Sequence, residues 1–341
     1  LAPDEANPAH LQAAPFADGL YAATEMLVDS FLALIDAGVL KREVDGALLH
    51  GAFFLGPKSF YRDLREMPPE RLAKIRMTSV SFTNQLYGDE DAKRAARKGA
   101  RFVNSALMAT LLGAVVSDGL EDGRVVSGVG GQYNFIEQAF ALPDARSIIT
   151  LAATRTANGR TTSNVRWAYG HETIPRHLRD IVVTEYGIAD LRGKADKDVI
   201  AAMLSIADSR FQPELMRAAK DAGKLPRGYK IPAAHRDNTP EKIARLLGPM
   251  RERGLLPDFP FGTDFTPVEQ RLLPALSRLK VSSKSQLAGH AFSGLFAARR
   301  PDADAAIARM GFDRPRNFAD WIYGLLLRSA LAQTARQSQS S

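Results

Sequence analysis

Three glycines within four positions give the strongest local signal for chemistry in this sequence. They lie in the segment SGVGGQ at residues 127–132, just before residues 135–142, whose pattern predicts a helix. A loop without Cβ atoms can bring backbone N–H groups close to a ligand at the positive end of a helix dipole. The spacing excludes a Walker A loop and a dinucleotide fingerprint. A tight strand-to-helix turn and an anion or oxyanion site both remain compatible with the pattern.

A second candidate segment places charged residues directly after an apolar run. Residues 183–194 read VTEYGIADLRGK and contain Glu185, Asp190 and Arg192. Open α/β sheets bind ligands outside the carboxyl ends of their strands, so these side chains are placed where a ligand would bind. The alternative is a solvated turn in which Asp190 and Arg192 form a surface pair that contributes little.

Glu25 carries no catalytic signal of its own. Residues 24–37 read as a helix that ends before Gly38, with Leu27 and Phe31 on its apolar face. An acidic residue in the first turn of such a helix is ordinarily a partner of the helix dipole.

Several classes of catalytic and binding site are excluded by composition. The absence of cysteine rules out disulfides, a thiolate nucleophile and cysteine-ligated metals. The six histidines show no ligand spacing, so we expect no metal site, and no G-x-S-x-G elbow is present. His171 and His177 flank a Pro-Arg pair, where positioning a loop is favoured over contacting a ligand.

Charge and hydropathy argue against nucleic acid and membrane partners. The net charge is +7, but the excess is dispersed, as in residues 93–98, without a basic run interleaved with aromatic residues. No apolar run approaches the roughly eighteen residues that a membrane span needs. We expect a cytoplasmic protein that binds neither nucleic acid nor membranes.

The elements that must position these residues change in type along the chain. Apolar runs at 47–54, 147–151 and 181–184 alternate with helical patterns, which predicts an α/β domain with a mainly parallel sheet. After residue 235 the pattern is helical, with starts at Thr239, at the Thr266–Glu269 capping box and at Asn317. The expected organisation is a loop-like lead-in at 1–18, the α/β domain at 19–235, a helical extension at 236–332 and a disordered tail at 333–341.

Four motifs in consistent order resemble the acetyl-CoA hydrolase/transferase family, specifically its carboxyl-terminal domain. They are TEMLVD at 24–29, SGVGGQYNF at 127–135, VVTEYGIADLRG at 182–193 and IADSRF at 206–211. The resemblance covers residues 19–220 and implies a CoA-transferase domain of the NagB/RpiA-like type. Because the active site of this family lies between two such domains, we expect an amino-terminal CoA-transferase half to be missing from this chain, which begins at Leu1.

The resemblance also implies a mechanism. Glu25 matches the family nucleophile, which attacks an acyl-CoA thioester, probably that of acetyl-CoA in this family's usual reaction, and passes through an anhydride to a glutamyl-CoA thioester. Gly130 and Gly131 would stabilise the oxyanions, and Asn84 would orient the carboxyl group. Both hydrolysis and transfer to a carboxylic acid acceptor stay open, as does a non-catalytic CoA-binding or scaffolding subunit.

The same resemblance assigns a set of residues to coenzyme A, which would be a substrate and not a permanently bound cofactor. The assigned residues are Gly128, Gln132, Gly159, Glu185 and Arg192. The sequence departs from the family pattern at residues 157–160, which read ANGR instead of AKGG, and at Asn134, where aspartate is usual. We also expect a homo-oligomer, a dimer in the simplest case.

Overall fold

The computed structural model of the chain describes residues 16–297 and 300–339. Contacts divide these residues into two compact units. The first unit holds residues 16–153, 163–247 and 259–262, and the second holds 154–162, 248–258 and 263–339. The division departs in two places from the boundary expected at residue 235, since 154–162 falls in the second unit and 236–247 in the first. Residues 1–15 of the expected lead-in lie outside the described residues.

Strands and helices alternate through most of the first unit, so the expected α/β class is confirmed. The strands are β1 (Ala22–Leu27), β2 (Leu49–Phe54), β3 (Ile75–Met77), β4 (Arg101–Ser105), β5 (Met108–Thr110), β6 (Val115–Val116), β7 (Arg146–Thr150), β8 (Thr154–Ala157), β9 (Arg160–Ser163), β10 (Val165–Arg166), β11 (Ile181–Thr184) and β12 (Gly187–Asp190). The helices are α1 (Asp29–Asp36), α2 (Lys58–Glu66), α3 (Pro69–Leu72), α4 (Val80–Asn84), α5 (Glu90–Ala96), α6 (Gln132–Ala141), α7 (Asp196–Ser205), α8 (Gln212–Asp221), α9 (Pro240–Glu252), α10 (Pro267–Val281), α11 (Lys284–Phe296), α12 (Pro301–Arg309) and α13 (Phe318–Gln339).

The strands of the first unit form three sheets. In the order β1-β2-β3 both neighbouring pairs are parallel. In the order β12-β11-β7-β4, strands β4, β7 and β11 are parallel, and β12 closes the edge as the antiparallel arm of a hairpin. A small third sheet has the order β10-β5-β6. Helices connect the parallel strands, because parallel neighbours need a crossover.

The three apolar runs that predicted strands are strands β2, β7 and β11. Their side chains are buried because helices cover the sheet: Ile149 of β7 and Val182 of β11 lie in one hydrophobic cluster with Val199 and Leu204 of α7. Helix α7 was expected from Asp196 and begins there, although Ala195 is the N-cap, so Asp196 is the first helical residue.

The helix predicted from near Thr24 is wrong in its first part. Residues Ala22–Leu27 form strand β1, and the helix begins only at Asp29, after Val28 in an extended conformation. Alanine, glutamate, methionine and leucine favour helices locally. Parallel pairing with β2, in register from Ala22↔Leu49 to Leu27↔Phe54, overrides that preference. The helix end was predicted correctly, since Gly38 follows it with a φ of +67°.

The second unit consists of helices and one hairpin. The capping box at Thr266 and Glu269 begins α10 as predicted, and α10, α12 and α13 share a core that includes Leu272, Ile307 and Leu327. Helix α13 was expected to end near Leu331 but continues to Gln339, so the tail predicted to be disordered is helical through that residue. Within the described ranges, no helix combines the length and the apolar character needed to cross a membrane.

Candidate active site

The carboxylate of Glu25 lies in the carboxyl-terminal half of β1, where the neighbouring parallel strand β2 also ends. This is the edge at which parallel sheets bind ligands. The side chain is half-buried, and its Oε2 accepts a hydrogen bond of 2.8 Å from Nδ2 of Asn84. Glu25 is therefore held by a neutral donor and is not neutralised by a basic residue in this contact.

Asn84 is the last residue of α4, and its amide is fixed from both sides. The hydroxyl of Thr83 donates to Asn84 Oδ1 at 2.8 Å. Since the amide oxygen is engaged there, the amide NH₂ group faces Glu25. Asn84 is only 4% exposed, so rotating the amide would leave Oδ1 buried without a partner.

The glycine loop meets this carboxylate at the N-terminus of α6. Gly131 is the N-cap of the helix, and a Cβ built on it would overlap both Glu25 Oε2 and Asn84 Nδ2. A Cβ on Gly130 would lie 3.4 Å from Glu25 Oε1, and Gly130 itself has a φ of +55°. Both interpretations of the loop therefore hold: Gly130 makes the turn, and Gly131 permits close approach of an anionic group to the positive end of a helix dipole.

Gln132 ties the same helix end to β4. Its Nε2 donates to the carbonyl of Ser105, the last residue of β4, at 2.9 Å. Its Oε1 is buried without a hydrogen-bond partner. The N-terminus of α6 thus contacts residues from two different sheets, Glu25 of β1 and Ser105 of β4. Gly128 is exposed, with no atom within 4 Å of a built Cβ.

A buried arginine, which the sequence pattern did not single out, joins Asn84 to α6. Arg97 is 4% exposed and donates to Gln138 Oε1 of α6 and to the carbonyl of Phe82, both at 2.6 Å. Gln138 in turn donates through Nε2 to the carbonyl of Asn84 at 2.7 Å. Carbonyls at the C-terminus of a helix carry partial negative charge, so the guanidinium is stabilised at the end of α4. Burial lowers the pKa of Arg97 below its ordinary value.

Arg97 and the equally buried Lys93 both come from the cluster at 93–98 that the sequence showed as dispersed charge. Lys93 donates to the carbonyls of Gln85 and Tyr87, at 3.1 and 2.7 Å. The two residues are four apart, so they share the face of α5 that looks toward the end of α4. That spacing is the only signal in the sequence that could have found them, and it is common on solvated helices.

Asp118 anchors the start of the glycine loop. Its main-chain carbonyl accepts from Val126 N at 2.7 Å, and its carboxylate accepts from the Thr173 hydroxyl and from His171 Nε2, the latter at 3.1 Å. These hydrogen bonds, that from Thr173 first, hold the pKa of Asp118 below its usual range. His171 therefore contacts the loop that leads to the glycines, as the loop-positioning interpretation predicted.

Arg192 takes a different place from the one predicted. Its guanidinium pairs with buried Asp180 at 2.6 Å, donates to the carbonyl of Ala145 and lies 4.3 Å from the ring centre of Phe140. Phe140 is near the C-terminus of α6, about 13 Å along the helix from Gly131. The predicted contact with coenzyme A is therefore replaced by a structural ion pair. The alternative surface pair is wrong as well, because Asp190 binds Arg146 at 2.6 Å.

Glu185 and Gly159 are not among the groups that meet at the glycine loop. Glu185 is exposed in the turn between β11 and β12, and its Oε2 accepts from Ala153 N at 2.8 Å. Gly159 belongs to the second unit, in the β8–β9 turn, where its N–H donates to Val281 O at 2.6 Å and a Cβ would overlap Ser283. In the portion of the chain that the structure describes, no group of three or more acidic or histidine side chains could hold a metal ion.

Comparison with known proteins places the central part of the chain in a family. Residues 56–219 match the model of the acetyl-CoA hydrolase/transferase C-terminal domain. That segment includes Asn84 and the glycine loop, whereas Glu25 precedes it.

Similar curated proteins are CoA-transferases. A probable butyrate:acetyl-CoA coenzyme A-transferase of Syntrophomonas wolfei is 27% identical over 214 residues, which cover 61% of this chain and 45% of that protein. A 4-hydroxybutyrate coenzyme A transferase of Clostridium kluyveri is 28% identical over 204 residues, covering 58% and 44%. The chain thus spans less than half the length of these relatives.

A solved structure supports the same relationship. The crystal structure of RipA from Yersinia pestis superposes with a TM-score of 0.51 at 27% identity, covering 60% of this chain and 44% of that one. Together with the family match, this similarity extends over the region that contains the glycine loop and its supporting helices. Residues 56–219 therefore belong to the acetyl-CoA hydrolase/transferase C-terminal domain family.

Proposed function

We propose that the chain carries the nucleophilic half of a CoA-transferase, with Glu25 as the residue that accepts first the acyl group and then coenzyme A. The observation that carries the proposal is the contact of one carboxylate with an oriented amide and with glycine main chain at a helix N-terminus. The names of the similar curated proteins favour transfer to a carboxylic acid over hydrolysis.

The proposed reaction begins with attack of a Glu25 carboxylate oxygen on the thioester carbonyl carbon of an acyl-CoA. The carbon–sulfur bond breaks, which gives an acyl–glutamyl anhydride and the CoA thiolate. The thiolate then attacks Cδ of Glu25, releases the first carboxylate and leaves a glutamyl-CoA thioester. An acceptor carboxylate reverses both steps and departs as a new acyl-CoA, with Glu25 restored.

Each step passes through a tetrahedral oxyanion beside Gly130 and Gly131. The first N–H groups of a helix lack intrahelical partners, so those at the start of α6 are suited to accept this charge. A preorganised donor of this kind contributes about 3–4 kcal/mol to transition-state stabilisation. Asn84 supports the same steps by donating to one oxygen of Glu25, which leaves the other oxygen for attack.

The remaining features of the proposal concern the whole enzyme. Gly128, Gln132 and Glu185 are proposed to line the path of coenzyme A, and the unpaired Gln132 Oε1 is an acceptor for it. We propose a NagB/RpiA-like domain with a mainly parallel sheet, supported by the parallel pairs around β2 and β7. A second, amino-terminal domain of the same kind would complete the site, in keeping with the 45% share of the similar transferase that this chain spans.

Borohydride trapping tests the nucleophile. The chain is incubated with butyryl-CoA, the thioester is reduced, and the modified residue is identified by peptide mass spectrometry. We expect conversion of the Glu25 carboxyl group to an alcohol, and no conversion in Glu25→Gln. Reduction at another carboxylate, Glu185 included, would overturn the assignment.

The acceptor is tested with the trapped species as the readout. If the protein is a transferase, acetate added before borohydride lowers the amount of trapped glutamyl-CoA and yields acetyl-CoA. If water is the acceptor, the trapped fraction decays at the same rate with and without acetate, and free CoA accumulates.

A further inference from the structure

The second unit contains an open pocket of about 560 Å³ between the end of α10, the first half of α11, helix α13 and the β8–β9 turn. None of its ten lining residues is acidic. The polar side chains among them that matter for binding are Arg278, Gln286, His290 and Ser293. The pocket is thus lined by a cation and by hydrogen-bond donors.

His290 is the most constrained of these groups. It is 8% exposed, and its Nδ1 lies 3.1 Å from Ser329 Oγ and 3.4 Å from Gln333 Nε2. An amide NH₂ group can only donate, so Nδ1 acts as the acceptor. The proton of the neutral imidazole is then on Nε2, which has no hydrogen-bond partner among the described residues. His290 therefore offers an N–H donor that its neighbours orient but do not use.

Gln286 also presents a donor, for a reason found in the helix cap. Its Oε1 accepts from Ser283 N at 2.8 Å in the capping box that begins α11. With the oxygen engaged in the cap, the NH₂ group of the same amide is left to the pocket. Arg278 supplies the positive charge and is close enough to His290 to help burial lower the pKa of that histidine.

We propose that this pocket binds the oxyanion group, phosphate or carboxylate, of a small molecule. An arginine, an imidazole N–H, an amide and a hydroxyl without an opposing carboxylate match the acceptors of such a group. The proposal does not depend on transfer chemistry at Glu25, because every residue it uses lies in the second unit.

A bound anion should also change the protonation of His290. The group that faces it from α10 is Arg278, and α13 contributes the uncharged Ser329 and Gln333. A negative charge beside the ring favours the imidazolium, so the pKa of His290 rises when the pocket is filled.

The test is an NMR titration of the His290 ring with inorganic phosphate and, separately, with succinate. The ring signals are assigned by their absence in His290→Gln. We expect a saturable shift with one anion or both, and the anion that binds more tightly identifies phosphate or carboxylate as the preferred group. Arg278→Gln should weaken binding by about tenfold or more, the usual effect of losing a charged hydrogen bond.

Arg271→Gln is the matched control, because Arg271 is on the same helix but lines no part of this pocket. It removes the same charge and should change the affinity by less than about twofold. The proposal is overturned if neither anion shifts His290 at about 20 mM, a concentration well above a millimolar Kd. It is also overturned if Arg278→Gln binds like the unmodified protein, or if Arg271→Gln loses as much affinity.

Discussion

At the scale of single residues, the candidate site depends on atoms that are absent. Gly131 has no Cβ, and that absence lets the Glu25 carboxylate and the Asn84 amide lie against the start of α6. Its φ of −83° is accessible to any residue, so the requirement for glycine there comes from space and not from backbone strain.

Gly131→Ala separates the two effects. The new Cβ must displace Glu25 or Asn84, so we expect borohydride trapping at Glu25 to fall about a hundredfold, the typical effect of a shift of about 1 Å in a reacting group. The free energy of unfolding should change little, because the backbone is not strained. Gly228→Ala, where no atom lies within 4 Å of a built Cβ, is the control. Unreduced trapping in Gly131→Ala would show that Glu25 does not react in the observed position.

A second residue-scale prediction concerns acid stability. The hydrogen bonds from Thr173 and His171 hold the pKa of Asp118 below the unfolded value of about 3.9. The unfolded state therefore takes up a proton first as the pH falls, and the stabilisation, fully present above about pH 5, is lost as the pH falls through the folded pKa.

Asp118→Asn should remove this dependence. We expect the variant to lose about 1–2 kcal/mol of unfolding free energy at pH 7 and to lose less than the unmodified protein between pH 5 and 3. Urea denaturation at a series of pH values measures both effects. Glu121→Gln removes an exposed carboxylate from the same loop and serves as the control. Parallel acid profiles for Asp118→Asn and the unmodified protein would contradict the assignment.

At the scale of elements, the site is assembled by one short helix and one longer one. Helix α4 presents Asn84, α6 presents the glycine loop, and Arg97 of the segment after α5 connects them through Gln138. Arg97 is a positioning residue in this arrangement, because it contacts the carbonyls behind Asn84 and not the carboxylate itself.

Arg97→Met tests this connection. The apolar replacement leaves Gln138 Oε1 and the carbonyl of Phe82 buried without a donor, at a cost of about 1–3 kcal/mol each. We therefore expect a loss of roughly 3 kcal/mol in unfolding free energy, together with reduced trapping at Glu25. Arg97→Lys should recover part of the trapping, since the ammonium can still reach one of these acceptors.

Arg94→Met is the matched control for the same measurements. Arg94 is on α5 with an exposed ion pair to Glu90 and should contribute less than about 1 kcal/mol. Equal losses in the two variants, measured by urea denaturation, would mean that the buried contacts of Arg97 contribute no more than an exposed arginine.

At the scale of the whole molecule, the chain contains two cores with different chemistry. The first unit carries the family match, the glycine loop and Glu25, whereas the second has its own core around Leu327 and its own pocket lined by His290. The two proposals made here are therefore independent: trapping at Glu25 concerns only the first unit, and anion binding at His290 concerns only the second.

The sequence alone determined the features that depend on local rules. Runs of β-branched and apolar residues fixed β2, β7 and β11, and the capping box fixed the start of α10. The glycine spacing located the loop because three missing side chains within four positions are visible without a structure. The family resemblance then joined Glu25 and Asn84 to this loop, although 59 residues separate the two.

Only the tertiary structure decided the features that depend on distant partners. Glu25 is on a strand and not in a helix because β2 supplies hydrogen bonds that local propensity does not anticipate. Arg97 is buried, and Arg192 is held by Asp180 at the far end of α6, because carbonyl and carboxylate acceptors from other segments surround them. A charged side chain takes its role from the acceptors around it, and those acceptors are brought together only when the chain folds.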